Sequence, residues 1–262
     1  MSWKPSPVIH ASAALHAGTA FAVAAGLPWQ WGLGAIATNH ALLTVAGLWP
    51  RSTLLGHNMR SLPTNARLTH EISITIDDGP NPLVTPAVLD ILDTASARAS
   101  FFCVGRAIEA NPILAREIVR RGHGIENHSY SHSHTFSLLG MYGLRNEISK
   151  AQETISQITG FRPGYFRAPA GLRNPLLDPV LQSLNLKLAS WTRRGFDTVS
   201  KNPQKVLQRL ERNMSAGDIL LLHDGNCATT EAGKPIVLEV LPQLLASLKR
   251  MGLHSVPLHH AI

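Results

Sequence analysis

The chain has 262 residues, of which 44% are hydrophobic, 20 are glycine and 17 are proline. This composition is ample for a buried core and excludes a collagen-like or low-complexity chain, while 2 cysteines exclude a disulfide framework. The formal net charge of +7 suits a phosphate-bearing or acidic partner or an anionic membrane surface, and it carries no information about the fold.

Charged residues are absent from the N-terminal part of the chain. Residues 5–50 contain no Asp, Glu, Lys or Arg. Two apolar stretches, 8–27 and 31–49, each approach the ~20 residues that a helix needs to cross a bilayer. Small residues dominate both stretches and tryptophans lie at their ends, as in membrane helices. We therefore predict that residues 1–60 form a hydrophobic helical hairpin and that residues 8–49 contact a membrane.

Three other interpretations of this region stay open. A cleaved signal peptide explains the first stretch but not an equally apolar second one. A single anchor leaves the other stretch as a buried helix. A soluble hairpin is favoured by the polar side chains within both stretches, which are His10, His16, Asn39 and His40.

The remainder of the chain alternates strands with helices. After a linker at 61–70, strands are predicted at 72–76, 99–104, 123–126, 165–167, 186–190, 218–222 and 254–256. Helices are predicted to begin at Thr85 and after Asn111, Asn174 and Asn202, and an amphipathic helix to end at Gly160. A last helix is predicted at about 235–251. This alternation indicates an α/β fold with a parallel sheet, open or closed into a barrel, whose chemistry gathers at the carboxyl ends of the strands.

Polar side chains do follow the predicted strands. They are Asp77 and Asp78 after the first, His128 and His132 after the third, and Arg167, Asp197 and His223 after the next three. Taken singly, the two aspartates before Gly79 fit an ordinary turn, and 13 histidines make a chance pair plausible. Together they supply a metal hydrolase with one carboxylate and two imidazoles as ligands, a second carboxylate as base and a separate histidine as acid.

Four segments carry a resemblance to a known family. They are Thr75-Ile76-Asp77-Asp78-Gly79-Pro80, His128-Ser129-Tyr130-Ser131-His132, Arg167-Ala168-Pro169-Ala170-Gly171 and Leu220-Leu221-Leu222-His223. In this order they resemble motifs of the polysaccharide deacetylase family, the NodB-homology domain or carbohydrate esterase family four. The resemblance covers roughly residues 71–256, and the domain is predicted to span residues 71–262.

The resemblance implies a distorted (β/α) barrel that binds one divalent metal ion, usually zinc. The implied metal ligands are Asp78, His128 and His132. Asp77 would be the general base, held by Arg167, with Asp197 as the partner of Arg167 and His223 as the general acid. The implied substrate contacts are Leu220 in the acyl pocket and the backbone near Ala170.

Two departures from the family pattern bear on the substrate. Ala170 replaces a frequent aromatic residue, so any sugar stacking is lost there or supplied elsewhere. Arg193 and Arg194 precede Asp197 and are predicted to bind a phosphate or another anionic substrate group, the alternative being an exposed basic turn.

The predicted protein is a metal-dependent hydrolase that removes an N-acyl group, with acetyl favoured, from an amino sugar of a cell-envelope polysaccharide or lipid-linked glycan. The alternatives are a deformylase of a lipid-linked amino sugar, a phosphoester hydrolase, and a non-catalytic envelope or lipid-carrier-binding protein on a decayed barrel. No nucleic-acid partner is expected. Lys4 and Arg51 flank the hairpin, which favours a bacterial inner membrane with the catalytic domain in the cytoplasm over a periplasmic one.

Overall fold

A computed structural model describes residues 3–260, so the outermost residues of the predicted hairpin and domain lie outside it. The helices of this part are α1 (Pro7–Ala24), α2 (Trp29–Leu48), α3 (Asn65–Leu68), α4 (Thr85–Thr94), α5 (Gly105–Ala110), α6 (Pro112–Arg120), α7 (Met141–Thr159), α8 (Leu177–Ser183), α9 (Pro203–Glu211) and α10 (Ile236–Arg250). The strands are β1 (Glu71–Asp77), β2 (Ala99–Cys103), β3 (Gly124–Asn127), β4 (Tyr165–Phe166), β5 (Lys187–Leu188), β6 (Arg193–Arg194), β7 (Ile219–His223) and β8 (His254–Ser255).

The strands form a curled parallel sheet in the order β5-β4-β3-β2-β1-β7-β6, with β8 paired to the amino end of β1. The predicted distorted (β/α) barrel is confirmed in this half-barrel form. The strand β6 was not predicted, because two consecutive arginines do not resemble strand sequence. Gly160 ends α7 as predicted, with a left-handed φ of 71° that suits glycine.

Residues 59–62 lie across the opening between β5 and β6. The backbone N–H of Met59 donates to the carbonyl of Leu188 at 2.9 Å, and that of Ser190 donates to the carbonyl of Met59 at 2.8 Å. Further on, the N–H of Leu62 donates to the carbonyl of Gly217. Residues 59–62, which lie before the predicted domain boundary at residue 71, thus satisfy backbone groups that the short strands leave unpaired.

The two faces of the sheet have different side chains. On β1, Ile72, Ile74 and Ile76 are fully buried in the core between the sheet and the outer helices. Because side chains alternate along a strand, Thr75 and Asp77 point to the opposite, concave face. Phe102, Tyr165, Trp191 and Leu221 pack together on that face below the carboxyl ends of the strands. The concave face therefore positions polar groups above an apolar floor.

The helices α1 and α2 form the predicted helical hairpin. The Asn39 side chain donates to the Ser12 hydroxyl at 2.8 Å, and Nε2 of His16 lies 3.3 Å from Nε2 of His40. Within residues 3–260, α1 alone is long and apolar enough to cross a membrane, a test that a signal sequence also passes. The helix α2 does not pass it, so only one of the two predicted spans meets this test of length and composition.

Candidate active site

Arg167 and Asp77 form a buried ion pair on the concave face. Nη1 of Arg167 donates to Oδ1 of Asp77 at 2.6 Å and to the Thr75 hydroxyl at 2.9 Å. The same guanidinium donates to the carbonyls of Ala189 and Ser190. Its side chain is 1% exposed. Because four hydrogen bonds to fixed acceptors hold the planar guanidinium, the orientation of the Asp77 carboxylate that it binds is fixed.

Asp78, His128 and His132 converge as predicted. Oδ1 of Asp78 lies 3.2 Å from Nε2 of His128 and 3.1 Å from Nε2 of His132. One ligand atom from each of the three residues lies within 4.8 Å of the others. Nδ1 of His128 lies 2.8 Å from the carbonyl oxygen of Arg167. A carbonyl only accepts, so Nδ1 carries a proton there, and Nε2 is the ring nitrogen of His128 that faces the cluster.

The Asp78 carboxylate is held through one oxygen, and the other is buried without a hydrogen-bond partner within residues 3–260. The Asn226 side chain donates to Oδ2 of Asp78 at 3.0 Å, which leaves Oδ1 toward the histidines. Burial disfavours the ionised carboxylate, but the close contacts and positive charge of His128 and His132 outweigh it and lower the pKa of Asp78 far below its ordinary value. An ionised carboxylate and two imidazole nitrogens are a donor set that suits zinc.

Asp197 pairs with His223, not with Arg167 as the sequence predicted. Oδ1 of Asp197 accepts from Nδ1 of His223 at 2.9 Å, and Oδ2 accepts from the His223 backbone N–H at 2.7 Å. Burial lowers the pKa of His223, but the Asp197 hydrogen bond and charge, with the charges of Asp77 and Asp78, outweigh it and raise this pKa to about 9. The imidazole is therefore held as a cation at neutral pH.

Two of the predicted substrate residues point away from the site. The Arg193 side chain donates to Asp218 at 2.6 Å and to the backbone carbonyls of Arg212 and Asn213, on the outer side of the sheet. Leu220 is fully buried in the outer core. Strand alternation places Leu221, one residue later, on the same face as His223. The predicted contacts of Arg193 and Leu220 with substrate are therefore wrong.

The other two predicted substrate residues, Ala170 and Arg194, lie beside the site. Ala170 is exposed and has a left-handed φ of 54° in the turn that follows Arg167. The Arg194 guanidinium carbon lies 5.6 Å from the ring centre of Trp191 and 5.0 Å from that of Phe196. Stacking on two aromatic rings fixes this cation near the rim of the concave face.

Sequence reasoning missed Asn226 and the buried pair of Thr85 and Asp224. The Thr85 hydroxyl donates to Asp224 and accepts from the Asn81 backbone N–H at 2.7 Å. Burial raises the pKa of Asp224 to about 7, with the negative charge of Asp78 acting in the same direction. Both Asp224 and Asn226 follow His223 within three residues, and this adjacency was the only signal available for them.

The chain matches known proteins over most of its length. Residues 65–189 match the family model of polysaccharide deacetylases. A chitooligosaccharide deacetylase of Azorhizobium caulinodans is 33% identical over 76% of this chain and 100% of its own. A peptidoglycan-N-acetylglucosamine deacetylase of Bacillus cereus is 30% identical over 77% of this chain and 91% of its own. A family 4 carbohydrate esterase from Streptomyces lividans, solved in complex with acetate, is 30% identical and superimposes with a TM-score of 0.64 over 71% of this chain and 91% of its own.

The half-barrel fold and these matches define a hydrolase of the deacetylase class. The side chains gathered at the carboxyl ends of β1, β3, β4 and β7 occupy the part of a parallel barrel where catalysis takes place. The chain belongs to the polysaccharide deacetylase family, and the resemblance seen in its sequence is confirmed.

Proposed function

We propose that the protein is a zinc-dependent deacetylase of N-acetylglucosamine units in a cell-envelope glycan. The observation that carries this proposal is the convergence of Asp78, His128 and His132 beside Asp77 and His223. The relatives from Azorhizobium and Bacillus, which are named for chitooligosaccharide and for peptidoglycan N-acetylglucosamine, support the sugar and the acyl group.

Asp78, His128 and His132 would hold the metal ion. When bound, such an ion lowers the pKa of its water toward ~7 and polarises the acyl carbonyl. The hydrogen bond from His128 to the Arg167 carbonyl keeps Nε2 of His128 available for this role. The Asn226 hydrogen bond keeps one oxygen of Asp78 available in the same way.

Asp77 and His223 would move the protons. Oδ1 of Asp77 is committed to Arg167, so Oδ2, which lies 3.8 Å from Nε2 of His128, is the oxygen available to accept a proton from the attacking water. Nδ1 of His223 is committed to Asp197, so its Nε2 proton is the one available to the departing amine nitrogen. An amine leaves poorly without that proton, and a histidine with a raised pKa carries it at neutral pH.

The chain's own features support an envelope substrate presented at a membrane. The helix α1 would anchor the protein in the bacterial inner membrane, with the catalytic domain in the cytoplasm. Arg194 would bind an anionic group such as a phosphate of a lipid carrier. Leu221 would line the floor of the acyl pocket.

Amine release from N-acetylated sugars tests the proposal. The full-length protein is purified in detergent, stripped with chelator and reloaded with zinc, and it is assayed on chitooligosaccharides and on a carrier-lipid-linked N-acetylglucosamine. We expect free amine and acetate only after zinc is restored. Asp77→Asn should lose activity and keep its zinc, because Asp77 lies beside the metal ligands and is not one of them.

Other outcomes identify the rival functions. Release of formate from N-formyl sugars without acetate release from N-acetyl sugars would show a deformylase. Phosphate release would show a phosphoester hydrolase. A folded protein that binds lipid-linked sugar but neither retains zinc nor releases amine would show a binding protein and refute the proposal.

A further inference from the structure

Both ends of the helical hairpin touch the catalytic domain at one edge. The Trp3 indole N–H, just before α1, donates to Oδ2 of Asp178 in α8 at 2.7 Å. At the end of α2, the carbonyl of Gly47 accepts from the backbone N–H of Arg173 at 3.1 Å. The turn between α1 and α2 therefore points away from the domain, at the far end of helices of 18 and 20 residues, which are about 27 and about 30 Å long. If α1 crosses a bilayer, α2, which packs against it, lies in the same bilayer, and the membrane surface lies where the hairpin meets the domain.

Large apolar side chains surround this meeting point and stay exposed to solvent. We call them the apolar rim, and they are Leu48, Trp49, Leu54, Leu138, Tyr142 and Leu176. Leu138 is 81% exposed and Tyr142 is 86% exposed. Clustered exposed apolar residues mark contact surfaces, and tryptophan and tyrosine are enriched where protein meets the membrane interface.

Hydrogen bonds join the parts of the apolar rim into one surface. The Asn174 side chain donates to the carbonyls of Ser137 and Leu139, on both sides of Leu138, at 2.9 and 2.8 Å. The Oδ1 atom of Asn174 accepts from the Leu176 backbone N–H. The preceding residue is Arg173, which contacts the end of α2. The rim thus continues from the hairpin onto the domain without a break in contacts.

The two loops that carry Leu138 and Leu176 also carry active-site residues, which lie at the opposite end of each loop. The loop after β3 begins with His128 and His132 and reaches Leu138 six residues later. The loop after β4 begins with Arg167 and Ala170 and reaches Leu176. A surface that contacts Leu138 and Leu176 is therefore adjacent to the mouth of the site.

The charges of this edge fit an anionic lipid surface. Residues 5–50 contain no acidic residue, and Lys4 and Arg51 flank the hairpin at its domain-side ends. Arg51 is exposed next to Trp49. A basic residue beside apolar and aromatic side chains is the usual composition of a membrane-surface contact.

We propose that the apolar rim lies in the headgroup region of the bilayer, so that the active site opens at the membrane surface to amino sugars whose lipid anchor stays in the membrane. The inference rests on the proposed anchoring through α1. It adds a second contact, made by the catalytic domain itself, and it narrows the substrate to a lipid-anchored class.

Fluorescence of a label on the rim tests this placement. Leu138→Cys, Tyr142→Cys and Leu68→Cys variants of the full chain are labelled with an environment-sensitive dye and reconstituted into vesicles of phosphatidylethanolamine and phosphatidylglycerol. Leu68 is the matched control, because it is 82% exposed and precedes β1 at the opposite end of the sheet. Labelling of the unsubstituted protein measures the background from buried Cys103 and half-buried Cys227.

We expect blue-shifted emission and quenching by doxyl-labelled lipid at positions 138 and 142, and neither at position 68. If the protein floats with the vesicles but positions 138 and 142 behave like position 68, the rim inference is wrong while the anchoring stands. If the protein does not float, the anchoring fails and the rim inference fails with it. Neither reading depends on deacetylase activity, so the catalytic proposal is judged separately.

Kinetics then test the substrate class. Leu138→Glu should lower kcat/KM for a synthetic N-acetylglucosaminyl diacylglycerol in these vesicles about tenfold more than for a soluble chitooligosaccharide, the loss expected when one leucine leaves an apolar surface. Leu68→Glu should lower neither selectively. Equal losses on both substrates in Leu138→Glu would contradict a membrane-bound substrate.

Discussion

Asp197 accepts two hydrogen bonds from His223, one from the imidazole Nδ1 at 2.9 Å and one from the backbone N–H at 2.7 Å. Both groups are buried, and Asp197 is fully so. The pair fixes the ring orientation and its proton at once, because Nδ1 donates and Nε2 is left for a substrate. The candidate acid is therefore built from β7 together with the loop that follows β6.

Asp197→Asn should shift the basic limb of the pH profile of kcat/KM to lower pH. The pKa of His223 is raised to about 9. Burial by itself lowers this pKa, and the hydrogen bond and charge of Asp197 are the largest of the effects that outweigh burial. An acid must be protonated, so activity is present below this pKa and is lost as the pH rises through it. Removing the Asp197 charge lowers the pKa of His223 and brings the loss to lower pH. An unshifted basic limb in the variant would assign that limb to another group.

Arg167→Lys should lower kcat about 10²-fold, the size of loss that accompanies a misplaced reacting group. Lysine keeps the charge but lacks the planar fork that holds Asp77, Thr75 and two backbone carbonyls. Zinc content, measured on the purified variant, should be unchanged. Arg193→Lys is the matched control, because Arg193 pairs with Asp218 on the outer side of the sheet. If kcat falls equally in both variants, the loss comes from general destabilisation and not from the position of Asp77.

Asn226→Ala should weaken zinc binding about tenfold or more, within the range found when partners of metal ligands are removed. Asn226 is exposed, so no core packing is lost, but Oδ2 of Asp78 loses its donor and the carboxylate can rotate. Competition with a fluorescent chelator measures the affinity without any activity assay. Asn111→Ala, which removes an asparagine between α5 and α6, should bind zinc as the parent does.

Leu221→Ala and Leu220→Ala separate the two faces of β7. Leu221 pairs in register with Thr75, two residues before the pair formed by Asp77 and His223 and therefore on the same face. Its truncation should raise the rate on N-propionyl sugar relative to N-acetyl sugar, because it opens space under the site. Leu220→Ala should destabilise the fold by about 2–5 kcal/mol without changing this ratio, since Leu220 packs against the outer helices. Urea unfolding measures the stability, and the rates on the two sugars give the ratio. A changed ratio in Leu220→Ala would place Leu220 in the acyl pocket, as the sequence predicted.

Much of the fold and the site followed from local sequence. The alternation in β1 and the 3.6-residue periodicity of α7 are properties of single segments, so the elements were found without tertiary information. Asp77 and His223 end strands, Asp78 and His128 directly follow strands, and His132 lies four residues beyond His128. In a parallel sheet the carboxyl ends share one edge, so their convergence was predictable from topology alone.

The errors lie where a partner comes from a distant segment. The choice of His223 over Arg167 as the partner of Asp197 depends on how far the loop after β6 reaches across the sheet. The assignment of Leu220 is a different kind of error, because strand alternation counted back from His223 already places Leu221 on the inner face.

What the sequence determined by itself is the set of chemical groups and the strand ends that carry them, because composition and periodicity are local. Only the tertiary structure decided which groups touch: Arg167 with Asp77, Asn226 with Asp78, and residues 59–62 across the open side of the sheet. These contacts join residues far apart in the chain. Their geometry follows from the curl and closure of the whole sheet, which no single segment encodes.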